Sequence, residues 1–140
     1  MKRGIFSKIM VGTLAFVAWG SAVVYAATAP TSVTIYTNQS SATSTSIYCS
    51  GYIDGFGVND DTSTNGLYYT LRFKEAIGTS EAYSKLMKPG TGDMGSSSVN
   101  TWYTIFSQRT VMNGNGNYSV KLNPKGAYAS GCYGAGKLVD

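Results

Sequence analysis

Beyond residue 31, apolar and polar residues alternate with a period of two along most of the chain. That pattern predicts β-strands that are buried on one side. The strongest run places Leu67, Tyr69, Leu71 and Phe73 inward and Tyr68, Thr70, Arg72 and Lys74 outward. Residues 45–54 alternate in the same way, with Ile47, Cys49, Gly51 and Ile53 on one face and Tyr48, Ser50 and Tyr52 on the other. Val33 and Ile35 mark a short first strand. Over 101–111, Trp102 and Phe106 oppose Tyr103 and Ile105, and Tyr118, Val120 and Leu122 form the inward side of the next strand. A last strand over 127–139 would align Tyr128, Cys132 and Leu138 on one face.

The intervening segments carry turn chemistry. Residues 38–46 and 90–100 are polar or glycine-rich and predict loops, as do residues 55–66, which end in the turn dipeptide Asn65-Gly66. Asn113-Gly114-Asn115-Gly116 predicts a tight hairpin, and Asn123-Pro124-Lys125-Gly126 a type I turn. The last three strands should therefore form an antiparallel meander. Residues 79–87 fit one or two helical turns capped by Thr79 or Ser80, or else a strand with Tyr83, Lys85 and Met87 on one side; we favour the helix. The expected fold is all-β: a small antiparallel sandwich or barrel of six to seven strands.

The first 26 residues follow a different pattern. Lys2, Arg3 and Lys8 precede an uncharged apolar stretch over 9–25, and Val24-Tyr25-Ala26 suits signal-peptidase cleavage. We expect a secretory signal peptide over 1–26 and one secreted β-domain over 27–140. An uncleaved signal would be the chain's sole membrane attachment. Three of the eleven basic residues leave with the signal and none of the seven acids does, so the remainder is close to neutral. Its scattered Lys and Arg make no basic face for a nucleic acid.

Export also frames the cysteines. Cys49 and Cys132 are the only two, and an oxidising compartment predicts one structural disulfide between them. Absent histidine removes Ser-His-Asp and Cys-His nucleophilic sites and the usual zinc sites. Asp54, Asn59, Asp60 and Asp61 offer oxygen donors for calcium, but their spacing is not that of an EF-hand, and hairpin loops favour the same residues. No carboxylate pair is placed for acid–base work, so we expect neither a catalytic residue nor a cofactor.

Tyrosine is the remaining signal. Ten of the eleven lie after residue 26, and Tyr48, Tyr52, Tyr68 and Tyr103, with Arg72, fall on strand faces assigned outward. Tyrosine presents rigid apolar area with a hydroxyl, which suits contact surfaces; its strand propensity alone would also account for it. Ser, Thr and Asn make up 37 of the 114 residues from Ala27 onward, a weakly charged composition poorly protected against self-association. The first strand could add to a neighbour's sheet edge or pair within its own domain. These features point to a non-enzymatic surface or extracellular domain that contacts a protein, a glycan surface or copies of itself. The alternative is a secreted effector such as a bacteriocin-like toxin or an inhibitor.

Overall fold

The computed structural model describes residues 29–95, 99–109 and 113–140; the expected signal segment over 1–26 lies outside them. Nine strands form among the described residues: β1 (Thr31–Ile35), β2 (Ala42–Thr43), β3 (Ile47–Cys49), β4 (Ile53–Asn59), β5 (Leu67–Lys74), β6 (Thr79–Met87), β7 (Tyr103–Arg109), β8 (Gly116–Pro124) and β9 (Gly134–Val139). The described residues contain no helix. One sheet has the order β1-β9-β4-β7; in the other, β2 and β3 both pair with β8, followed by β5 and β6. All pairings are antiparallel. Neither sheet closes into a barrel.

Counting β2 and β3 as one broken strand gives eight, ordered 1-8-3-6 facing 2-7-4-5. That is the double Greek key of a jelly roll. The chain changes sheets at nearly every connection, so the expected meander of the last three strands does not form. β8 instead pairs with β5, and β9 is inserted between β1 and β4. Asn113–Gly116 does not join paired strands, because β7 and β8 lie in different sheets.

Local physics explains the other departures. The strand expected over 45–54 breaks at Gly51, whose φ of +82° lies in the left-handed region, and its halves enter different sheets. β4 then runs straight through Gly55 and Gly57, where turn signals predict a loop. The Phe106 ring fills the space above Gly55, and Met87 with Ile105 fills that above Gly57, so the strand keeps its packing without side chains of its own. Ile105 is an extra residue of β7 between the partners of Gly55 and Phe56. This bulge turns both Ile105 and Phe106 inward, where a strict alternation would separate them. Residues 79–87 form a strand because β5 offers a full backbone ladder, in which Ala82 is accommodated as a bulge; tertiary pairing outweighs local helical preference.

The expected inward faces of β5 and β8 hold: Leu67, Tyr69, Leu71, Tyr118, Val120 and Leu122 are fully buried. They pack against Ile35, Ile53, Ile105, Phe106 and Leu138 of the other sheet. β1 pairs with β9 of its own domain. The sheets approach closely at Gly136, where a Cβ would lie 2.8 Å from Val120 Cγ1, 3.1 Å from Leu122 Cδ2 and 3.4 Å from Tyr69 Cδ2. Gly136→Val should therefore overpack the core and lower unfolding stability by about 1–3 kcal/mol, measurable by urea denaturation. A variant as stable as the parent would show that the sheets can move apart at this point.

Candidate contact surfaces

The residues expected to form a binding face separate into three places. Tyr48, Tyr68 and Arg72 share the outer face of the β2/β3-β8-β5-β6 sheet. Cross-strand register sets them there: Tyr48 lies opposite Asn117, Arg72 opposite Ser119 and Glu81, and Tyr68 opposite Asn123 and Leu86. Lys121 opposes Thr70 and Thr43 on the same face. The Thr70 and Ser84 hydroxyls are hydrogen bonded at 3.2 Å, and an Arg72 guanidinium nitrogen donates to the Thr79 hydroxyl. Tyr48 is 53% exposed, whereas Tyr68 is half-buried among its neighbours. The result is a surface of aromatic, charged, amide and hydroxyl groups, with Glu81 beside Arg72.

Tyr52 and Tyr103 lie elsewhere. Tyr52 is 64% exposed in the link between β3 and β4. Tyr103 begins β7 at the sandwich edge, where the Lys85 ammonium lies 5.0 Å from its ring centroid.

The opposite outer face is partly covered. Residues 88–95 lie against it, with the Asn59 amide donating to Thr91 O at 2.7 Å and the Gly90 amide to Asn59 O at 2.8 Å. Asp93 and Thr101 exchange backbone bonds, so the loop expected over 90–100 is bridged to itself and to β4. Val58, on that outer face, is consequently fully buried. Beyond this cover, the Lys137 ammonium sits 4.7 Å from the Trp102 ring centroid and 5.3 Å from that of Phe56. Sequence reading missed this cation–π cluster, since Phe56 lies in a segment assigned to a loop. The alternation of Lys137 with Gly136 and Leu138 is the signal that could have placed it outward.

The calcium candidates do not converge. Asp54 and Asn59 lie at opposite ends of β4, roughly 17 Å apart at the rise of an extended strand. Asn59 is buried and donates to Asn65 O and Met87 O, both at 3.0 Å. Asp61 is exposed, and no group of three metal-ligating side chains occurs among the described residues. Asp60 instead fastens two loops: its carboxylate accepts from the Thr62 hydroxyl at 2.7 Å, the Thr62 amide at 3.2 Å and the Met94 amide at 3.0 Å. The Thr62 hydroxyl, and after it the Met94 amide, hold this carboxyl below the ordinary 3.8. Because the folded value is depressed, the stabilisation is complete above about pH 4 and fades as pH falls through the lower folded value. Asp60→Asn should be less stable than the parent at neutral pH, and the gap should close under acid in pH-dependent urea melts. A gap independent of pH would remove the charge from the argument.

The expected disulfide is absent: Cys49 and Cys132 are free thiols and both are buried. Cys49 pairs with Gly116 at the start of β8. Cys132 donates to Asn65 O at 3.2 Å, beside Gly66, whose carbonyl also accepts from the Lys125 amide just past the end of β8. The cysteines thus lie at opposite ends of an extended strand, roughly 25–30 Å apart, whereas a disulfide needs Cα atoms within about 7 Å. Burial, and then the Asp140 carboxylate, push the Cys49 thiol up to about 12; burial raises Cys132 as well. At pH 8 only about one Cys49 thiol in ten thousand is ionised. The native protein should therefore react with neither equivalent of a thiol reagent within minutes, and two equivalents should react after unfolding. A non-reducing peptide map that links the two cysteines would refute the fold around β8.

Compared with protein-family models, with curated proteins and with solved structures, the chain has no match.

Proposed function

We propose that this chain is an exported, non-enzymatic β-domain that works by contact, as a structural or binding component outside the cell that assembles with copies of itself. The observation that carries the reading is the difference between the two outer faces. One is partly covered by residues 88–95, and no comparable segment is bridged across the other among the described residues. That uncovered face combines Tyr48, Tyr68, Arg72, Lys121 and Glu81 with amides and hydroxyls. Aromatic and Arg side chains set among small polar groups are the composition of contact surfaces.

The edges of that sheet favour its face over strand addition as the route to assembly there. β6 carries Glu81 and Lys85 and is bulged at Ala82, and β2 and β3 are two and three residues long. Charges, bulges and short strands are the devices that block edge-to-edge pairing. At this sheet, copies would then meet through the face.

Size-exclusion chromatography with light scattering over a range of protein concentrations tests this. The parent should form a defined oligomer or polymer. Replacing Tyr48, Tyr68 and Arg72 together by Ser should weaken association at least about tenfold, because aromatic and Arg anchors dominate contact energetics, while unfolding remains cooperative. A parent that stays monomeric at all concentrations would overturn assembly and favour the secreted-effector alternative, with target-cell assays next.

A further inference from the structure

Among the described residues, Tyr128 is the one non-glycine residue with a positive φ, +57°. It is also 97% exposed. The Ala129 amide donates to Gly126 O at 3.3 Å, so Tyr128 is the third residue of a four-residue turn between β8 and β9. Positive φ at that place suits glycine or asparagine, which avoid the steric cost met by a bulky side chain. With its ring in solvent, Tyr128 contributes little packing to offset that cost. Strain at an exposed aromatic residue points to a role outside the fold.

The loop that carries Tyr128 is tied down at both feet. The Lys125 amide donates to Gly66 O at 2.8 Å, and the Asn65 side chain donates to Lys125 O at 2.9 Å. On the other side, the Gly131 amide donates to Thr37 O at 2.9 Å, and Gly131 O accepts from the Thr64 amide at 2.8 Å. Three loops are thereby knit into one end of the sandwich. The same end presents Tyr36, 54% exposed, whose ring centroid lies 5.9 Å from that of Tyr133. The Gln39 side-chain oxygen accepts from the Tyr36 amide at 2.8 Å, which fixes the backbone beneath that ring. Thr37, Asn38, Thr64 and Ser130, all exposed, supply uncharged donors and acceptors nearby.

We propose that this end of the sandwich binds a neutral oligosaccharide, with Tyr128 and Tyr36 as the rings on which sugars stack. A pyranose combines an apolar C–H face with hydroxyls that pair with neutral hydroxyl and amide groups. Exposed rings on a tied-down backbone amid such groups match it on both counts. Unlike the Tyr48–Tyr68–Arg72 face, this end carries no arginine of the kind that anchors protein contacts. The site lies on a different surface from the Tyr48–Tyr68–Arg72 face and does not depend on self-assembly.

An array of neutral and acidic oligosaccharides, followed by calorimetric titration with the best neutral one, tests the proposal. The parent should bind neutral oligosaccharides. Tyr128→Gly and Tyr36→Ser should each weaken binding about tenfold or more, and Ile77→Ser, at the exposed connection between β5 and β6, should leave it unchanged. Tyr128→Gly should also melt at the same temperature as the parent or a few degrees higher, because glycine relieves the turn. Undiminished binding by Tyr128→Gly would overturn the proposal, as would binding confined to acidic glycans or absent altogether. A lower melting temperature for Tyr128→Gly would instead make the ring a structural element. Loss of self-association by Tyr128→Gly, without glycan binding, would assign the loop to a protein contact.

Discussion

The sandwich depends on how closely its two sheets meet at Tyr69 and Gly136. Tyr69 reaches from β5 across the core, and its hydroxyl donates to the Lys137 carbonyl of β9 at 3.0 Å. Its ring meets Phe106 edge-on, with centroids 6.1 Å apart. A tyrosine can be wholly buried here because its one polar atom finds a partner on the opposite sheet. The ring fits because Gly136 has no side chain to oppose it. The same bond holds the β9 backbone at Lys137, whose ammonium strand alternation directs outward between Trp102 and Phe56. Core packing and surface chemistry are coupled through a single residue of β9.

Strands whose side chains do their own packing were legible. β5 and β8 alternate without interruption, and their inward faces are the buried ones. Strands whose packing is supplied by others were not: β4 passes through two glycines that borrow volume from Phe106, Met87 and Ile105. The bulge at Ile105 puts two consecutive residues into the core, which no period-two pattern can express. Local turn chemistry at 113–116 is equally misleading. An Asn-Gly sequence fixes the shape of a turn and not which sheet the next strand joins. Choice of sheet depends on long-range pairing, above all the insertion of β9 between β1 and β4.

The cysteines illustrate the same limit. Cys49 falls on the inward face that alternation assigns to it, and the structure keeps it there, fully buried. Their pairing rests on compartment and count, which carry no information on distance. Cys132 does not share a strand face with Tyr128 and Leu138, because β9 begins only at Gly134, and Tyr128 belongs to an exposed turn. Of the contact residues, Tyr48, Tyr68 and Arg72 are found together because they ride on regular strands. Tyr36 and Tyr128 escape sequence reading as surface features because their exposure depends on loop geometry.

The loops at the Tyr128 end are held by interactions of a kind that tolerates little movement. Asn59, Asp60, Ser63, Thr64 and Asn65 direct their side chains into the backbone of neighbouring segments. The Ser63 hydroxyl is bonded both to Tyr133 O, at 3.2 Å, and to the Tyr133 amide, at 2.9 Å. Each bond contributes about 1 kcal/mol net, and at the buried members Asn59, Asp60 and Ser63 losing one partner leaves a buried polar group unpaired, so these behave as a unit. Such an end resists deformation and can hold an unfavourable backbone angle without relaxing it. Strain at Tyr128 persists because the loop's feet at Lys125 and Gly131 are pinned by this network. Asn59 and Asp60, which resemble calcium ligands in the sequence, therefore serve a different purpose. They help hold in place the backbone that carries a strained aromatic residue, which lowers the entropic cost of any contact the loop makes.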